Sequence, residues 1–328
     1  MSGNIRLSFC IPTYNFGEFI GQTLESIIAQ ATDEVDIVIG DGASTDNTAE
    51  VVQRYQAQFP RLSYFNFGQK GGVDLDIAKT VDLACGRYCW LMSADDVLRP
   101  GAIARMLAEL EFGHAIYLYN RTDCSRDMRE MVRRTWLPDG QGDRVFDFSD
   151  HEELCAYLES VKGLGALFSY ISSIVVDREK WLSVEGNAPF MGTNYAHVHR
   201  LFSIAKAGGK VKYIEQSLVK ARLFNDSFAA NGMAKRFLID LDGYRLLGEH
   251  LFAEKSSLDA LKAVMRKEHK WYFLASLRNR VGEKEWQELE RRLAYYGYRP
   301  SQLYIADKLG TSGMALPLAR RIRRVLAK

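Results

Sequence analysis

Residues 8–15 read Ser8-Phe9-Cys10-Ile11-Pro12-Thr13-Tyr14-Asn15, an apolar strand that stops at a Pro-Thr-Tyr-Asn turn. Val35 to Gly40 repeats the plan and ends abruptly in Asp41-Gly42-Ala43-Ser44-Thr45-Asp46-Asn47-Thr48. A third buried-type strand, Tyr88-Cys89-Trp90-Leu91-Met92, runs into Ser93-Ala94-Asp95-Asp96, with Pro100 shortly after. Open α/β sheets bind ligands at the carboxyl ends of their strands, so three polar strand ends in one N-terminal segment predict one shared crevice.

Outward from these strands, residues 5–120 alternate in type. Strands are expected at 7–11, 35–40, 62–66, 87–92 and 115–119, and helices at 17–30, 46–58, 74–84 and 100–111. The alternation predicts an α/β fold with a mostly parallel sheet and right-handed crossovers. Asp46 suits the N-cap of the second helix and Pro100 the first turn of the fourth. Residues 120–148 carry Arg121, Arg126, Arg129, Arg133, Arg134 and Pro138-Asp139-Gly140-Gln141-Gly142 without a clean period, and read as a mobile loop or ribbon beside the site. From about 229 the pattern turns helical, with Phe237, Leu241, Tyr244 and Leu247 at helical spacing until Gly248 interrupts. The expected division is an α/β domain over 1–228 (one half to about 120 and a second over about 121–228), a helical subdomain over 229–300 and a basic amphipathic tail over 301–328.

Composition fits an enzyme with a large core: 328 residues, 47% hydrophobic. With 43 basic against 41 acidic residues the net charge is +2, which does not indicate nucleic-acid binding. Five cysteines at 10, 85, 89, 124 and 155 include no Cys-x-x-Cys pair, which fits reduced thiols in the cytoplasm. Met1-Ser2-Gly3-Asn4 leads straight into the first strand, leaving no room for a signal peptide, and no 18-residue apolar run is present.

The order Pro-Thr-Tyr-Asn, Asp-Gly-Ala-Ser-Thr-Asp-Asn-Thr, Ala84-Cys85-Gly86-Arg87-Tyr88 and Asp95-Asp96 resembles the family 2 inverting glycosyltransferases of GT-A fold. Gly71-Gly72-Val73-Asp74-Leu75-Asp76-Ile77 and Asn225-Asp226-Ser227-Phe228 look most like abequosyltransferase-type enzymes of O-antigen assembly. The resemblance implies that Pro12, Thr13, Tyr14 and Asn15 lie along the nucleotide, that Asp41 accepts from the base, and that Ala94 and Asp95 complete the donor site. It also implies that Arg222 and Asn225 close over the donor diphosphate. Arginine offers phosphate oxygens a fixed fork of donors.

A departing nucleoside diphosphate concentrates negative charge, which a hard cation held by carboxylates neutralises. Asp95 and Asp96 are accordingly expected to hold Mg²⁺ or Mn²⁺, although Ser93 stands where the family commonly has a first acid. Inversion by single displacement needs a base at the acceptor hydroxyl. The family's usual Glu-Asp pair falls here on Thr193 and Asn194, which cannot serve. His197 is the substitute in reach, because imidazole titrates near neutrality; Asp74 or Asp76 is the rival.

Beyond Gly310-Thr311-Ser312-Gly313, Pro317 can start a helix with Leu318, Ile322, Val325 and Leu326 on one face and Arg320, Arg321, Arg323, Arg324 and Lys328 on the rest. This is an interfacial pattern suited to an anionic membrane surface. The expected function is transfer from a nucleotide diphosphate sugar to a glycan or polyprenyl-diphosphate-linked acceptor in bacterial surface polysaccharide synthesis, at the inner face of the cell membrane. The rival is a non-catalytic sugar-nucleotide or glycan-binding module, motivated by the missing acids. A dinucleotide-binding oxidoreductase is disfavoured, since no Gly-x-Gly-x-x-Gly follows the first strand.

Overall fold

The computed structural model describes residues 5–223 and 232–312. The expected strands of the first half are present as β1 (Leu7–Thr13), β2 (Val35–Asp41), β3 (Leu62–Asn66), β4 (Tyr88–Leu91) and, after a two-residue β5 (Val97–Leu98), β6 (Ile116–Cys124). Between them run α1 (Ile20–Ile28), α2 (Thr48–Gln56), α3 (Val73–Leu83) and α4 (Ala102–Leu110). Ala102, Ile103, Met106, Leu107 and Leu110 form the buried stripe of α4, the spacing that lays one helical face on a sheet. Beneath these helices Phe9 stacks on Trp90 with centroids 4.9 Å apart, and Trp90 meets the edge of Tyr119 at 5.3 Å. Each such large apolar side chain contributes roughly 1.5–3 kcal/mol on burial.

The strand order is β3-β2-β1-β4, continuing through β9 (Ile174–Asp177), β6, β10 (Val211–Arg222) and β5. The first four strands are parallel throughout. Further on the sheet is mixed, because β9 runs antiparallel to both β4 and β6, while β10 lies parallel to β6. Residues 120–148 are more regular than their sequence suggests. There β7 (Glu130–Arg134) folds back antiparallel on β6, and β8 (Arg144–Phe146) pairs with β10. The rest of this half is α5 (His151–Ser160), α6 (Arg178–Leu182) and α7 (Ala196–Lys206).

Two helix starts differ from expectation. Asp46 does accept from Thr48 N–H at 3.0 Å, but α2 begins at Thr48 with Asn47 in the cap position. Pro100 precedes α4, whose cap is Gly101 at φ 79°. Gly40 in β2 leaves no room for a side chain: a Cβ there would meet Thr80 Oγ1 at 2.1 Å and the Phe67 ring at 2.7 Å.

The chain divides into two compact units, Met1–Val161 with Gly165–Asn225, and Lys162–Leu164 with Asp226–Lys328. The second contains α8 (Met233–Leu251), α9 (Lys255–Glu268), α10 (Trp271–Arg278), α11 (Glu283–Tyr295) and α12 (Pro300–Thr311). Phe237, Leu241, Tyr244 and Leu247 are buried as the periodicity requires. Gly248, however, continues α8, because a side chain there would meet Leu258 Cδ1 and Tyr295 Oη, each at 2.9 Å. The residue is small for packing and does not end the helix. Among the described residues no helix is long and apolar enough to cross a membrane. Asn225 to Phe228 and the segment Pro317 to Lys328 lie outside the described residues.

Candidate active site

The parallel register aligns the strand ends: Thr13 pairs with Asp41 across β1 and β2, and Cys10 with Leu91 across β1 and β4. The turns after β1 and β2 are stitched to one another. Asn15 N–H donates to Ser44 Oγ at 2.8 Å, Asn15 Oδ1 accepts from Thr45 N–H at 2.8 Å, and Gly17 N–H donates to Asp46 Oδ2 at 2.9 Å. Asn15 at φ 59° and Ala43 at φ 67° are both left-handed, a strain that such crossed bonds can hold in place. Asp41, 0% exposed, accepts from Ser44 N–H at 2.7 Å and from Tyr64 Oη–H at 2.5 Å. Thr13 Oγ1 is buried with no partner among the described residues, while half-buried Tyr14 lies under Lys70 Nζ at 3.9 Å from its ring centroid. Pro12 is half-buried and Asn15 exposed.

The turn after β4 is held from the other half of the unit. Asp96, 2% exposed, accepts from Tyr170 Oη–H at 2.5 Å, Ser172 Oγ–H at 2.6 Å and the Arg222 backbone N–H at 3.0 Å. Burial and the adjacent Asp95 push its carboxyl up to about 7. Asp95 accepts from Ser93 Oγ–H, so the serine in place of the family's first acid buttresses the second. Ala94 is buried, its carbonyl accepting from Thr23 Oγ–H at 3.0 Å. The Arg222 guanidinium donates to the Asp95 carbonyl at 3.0 Å, to Gln22 Oε1 at 2.6 Å and to the Arg126 carbonyl, and lies over Phe19 at 4.8 Å. Arg222, the expected diphosphate ligand, thus also braces the acidic turn. Its donors face protein acceptors because its strand, β10, ends inside the sheet beside Asp96.

The three expected bases fare differently. Asp74 spends both oxygens on the start of α7, Oδ2 on Asn194 N–H at 2.7 Å and Oδ1 on Ala196 N–H at 3.0 Å, and is 4% exposed. Burial raises its carboxyl, offset in part by those N–H groups. Both oxygens of Asp74 are thus tied to the backbone at the start of α7, and each keeps one further lone pair. His197 is 5% exposed, and burial lowers its imidazole to about 4, the nearby Phe168 backbone opposing only in part. Neither ring nitrogen has a partner in hydrogen-bond geometry among the described residues. A base with so low a pKa is a poor match to neutral pH, and the ring is buried, which weighs against the expectation for His197. His199 stacks on Phe190 at 4.1 Å and pairs with Asn187 at 2.9 Å. Asp76 is buried against the donor turns: a Cβ on Gly42 would lie 3.0 Å from its Oδ2, and one on Gly71 2.5 Å from its Oδ1. Burial raises this carboxyl too, and the Gly71 backbone and Lys79 hold it back in part.

Several participants were invisible in the sequence. Tyr64 stands beside Ile39 in the β2–β3 register, one strand from Asp41, so strand pairing could have found it. Tyr170 and Ser172 carried no signal. Behind Tyr170, Arg121 lies 4.0 Å over the ring, and buried Asp123 accepts from Arg121 at 2.8 Å and Arg134 at 2.7 Å. Arg121 thus links Asp123 to the Tyr170 ring behind the acidic turn, and Arg134 holds β7 to the same Asp123.

The sequence profile described as glycosyl transferase family 2 matches residues 8–157. Abequosyltransferase RfbV of Salmonella typhimurium is 34% identical over 275 residues, covering 81% of this chain and 82% of that protein. GalNAc(5)-diNAcBac-PP-undecaprenol beta-1,3-glucosyltransferase of Campylobacter jejuni is 30% identical over 111 residues, 34% of this chain and 36% of that protein. The fold is shared with the S. aureus TarS 1–349 structure in complex with UDP-GlcNAc, at TM-score 0.62 and 13% identity over 94% of this chain and 92% of that one. It is shared also with the mannosyltransferase PcManGT from Pyrobaculum calidifontis in complex with GDP-Man and Mn²⁺, at TM-score 0.56 and 16% identity over 97% and 87%. This chain is a glycosyltransferase of GT-A fold and belongs to glycosyl transferase family 2.

Proposed function

We propose that this glycosyltransferase moves a sugar, with inversion and with help from a divalent cation, from a nucleoside diphosphate sugar to a hydroxyl of a lipid-linked surface glycan. The observation that carries this reading is the alignment of Thr13, Asp41 and the turn leading to Asp95 along one edge of the parallel sheet. The base end of the donor would lie at Asp41, with Tyr14 along it and Pro12, Asn15 and Ala94 shaping the walls; Arg222 holds the floor under the diphosphate. Asn225, outside the described residues, remains part of the proposed donor closure.

The residues present fit a hard cation in kind. Mg²⁺ and Mn²⁺ sites in phosphate chemistry use one or two carboxylates together with substrate oxygens and water. Asp95 and Asp96 provide that number, and Asp96 has given most of its acceptors to Tyr170, Ser172 and Arg222, so Asp95 is the main proposed protein ligand. A cation bound there would neutralise the charge of the leaving diphosphate. What the protein itself does is to orient the base through Asp41 and keep the acidic turn in one place through Tyr170 and Arg222.

A lipid-linked glycan as acceptor is supported by the likeness to the GalNAc(5)-diNAcBac-PP-undecaprenol beta-1,3-glucosyltransferase, and sugar transfer by the likeness to abequosyltransferase RfbV. Membrane contact is proposed for the basic segment 317–328. Measuring thermal stabilisation by nucleoside diphosphates with and without Mn²⁺, then sugar release from the stabilising donor, tests the reading. No stabilisation by any nucleoside diphosphate would reject it.

A further inference from the structure

The first turn of α3 sends two buried carboxylates to two different loops. Asp76 packs against Gly42 and Gly71 on the donor side, and Asp74 engages the start of α7. α7 has no cap of its own: its cap residue is Tyr195, without a side-chain bond to the helix. The first N–H groups of a helix need acceptors, and Asp74 supplies one to Ala196, the first residue of α7, and another to Asn194 just before it, from 122 and 120 positions earlier in the chain. The segment it holds is conformationally costly. Gly192 at φ 86° and Asn194 at φ 67° are both left-handed, and Thr193 is bound back on itself, its hydroxyl donating to the Phe190 carbonyl at 2.6 Å and accepting from Tyr195 N–H at 3.1 Å. A charged acceptor on two backbone donors is the strong form of the hydrogen bond, and Asp74 brings one from another helix.

We infer that Asp74 is a positioning residue: it fixes the 192–196 turn, and with it the acceptor side of the site, relative to the donor turns that Asp76 touches on the same helix. That the 192–196 turn faces the acceptor rests on the proposed function. The tie itself, an α3 carboxylate clamping the α7 start, does not.

The test compares Asp74→Ala and Asp74→Asn with the parent chain by amide hydrogen exchange, nucleoside diphosphate affinity and transfer kinetics. Asp74→Ala should speed exchange at Asn194, Tyr195 and Ala196 and lower kcat/KM for acceptor at least about tenfold, while affinity for the nucleoside diphosphate changes less than about twofold. Asp74→Asn keeps one acceptor oxygen and should recover part of the loss, to within about fivefold of the parent. Unchanged exchange in 192–196 in a folded Asp74→Ala chain would overturn the tie. Equal loss of donor affinity and transfer would overturn acceptor-side positioning. Complete loss in Asp74→Asn with parent-like exchange would make Asp74 a proton acceptor, against the inference. A parent chain that binds the nucleoside diphosphate yet transfers to no acceptor would fault the functional reading, and the exchange measurement would still decide the tie.

Discussion

Asp41 and Asp96 end different strands of one sheet, are equally buried, and each accept a tyrosine hydroxyl at 2.5 Å. Their support differs. Tyr64 and Ser44 reach Asp41 from the neighbouring strand and from its own turn, within one βαβ unit. Asp96 is reached by Tyr170, Ser172 and Arg222, which are 74, 76 and 126 residues away. The proposed base turn is thus built locally, whereas the acidic turn takes shape only when the second half of the unit has folded onto the first. Charge differs as well: Asp96 has an acid beside it and is pushed up to about 7, mainly by burial and then by Asp95. Without opposing charge, that pair resists full ionisation; a cation would relieve it.

The largest effect is expected at the acidic turn. Asp95→Asn should cut turnover about 10²-fold or more with the fold intact, since it removes charge facing the proposed metal. Asp96→Asn should match that loss and also lower the melting temperature, because three protein donors lose a charged acceptor, at about 1–3 kcal/mol for a buried group left unpaired. Steady-state transfer and thermal melts separate the two. If Asp96→Asn melts like the parent, the long-range support of this turn is not what holds it.

Asp41 should respond in a different parameter. Asp41→Ala is expected to weaken nucleoside diphosphate binding by about tenfold to a hundredfold, the range for a hydrogen bond to a charged group, while turnover at saturating donor falls little. Calorimetric titration with different nucleoside diphosphates checks this and shows whether base preference blurs. The tyrosines sharpen the contrast: Tyr64→Phe should shift donor affinity a few-fold, and Tyr170→Phe should lower kcat a few-fold, each losing one bond of about 1 kcal/mol. Should both variants move the same parameter, the two turns do not have separate jobs.

How much was legible follows the same division. β1, β2, β4 and their turns could be read because apolar runs broken by Pro12, Asp41 and Ser93 are local patterns, and the parallel register then aligns the ends without further information. Tyr170 could not be read, since nothing near it says that its hydroxyl meets Asp96. The brace that Arg222 forms could not be read, because its acceptors come from residues 22, 95 and 126. The tie of Asp74 was hidden for the same reason, since its two backbone donors lie at the start of α7, 120 and 122 positions away. Gly248 misled, its break in the helical pattern being a packing contact.

The smallest effect on transfer is expected at His197, a buried polar side chain for which no partner stands among the described residues, in contrast to both carboxylates. Its imidazole is lowered by burial to about 4 from an ordinary 6.5, so the unfolded chain binds the proton more readily than the folded one. The sign follows: its contribution is fully present above about 6.5 and is lost as pH falls towards about 4, amounting to about 3 kcal/mol at the acid end. His269, in the helical unit, is lowered by burial to about 3 and acts in the same direction, so the parent chain should be acid-sensitive from both sites. His197→Leu removes one of them. Its melting temperature should fall less than the parent's between pH 6.5 and 4, and transfer at pH 7 should stay within about threefold, as expected for a residue that packs and does not exchange protons with substrate. Loss of transfer at pH 7 in a variant that still binds the nucleoside diphosphate would return His197 to the chemistry.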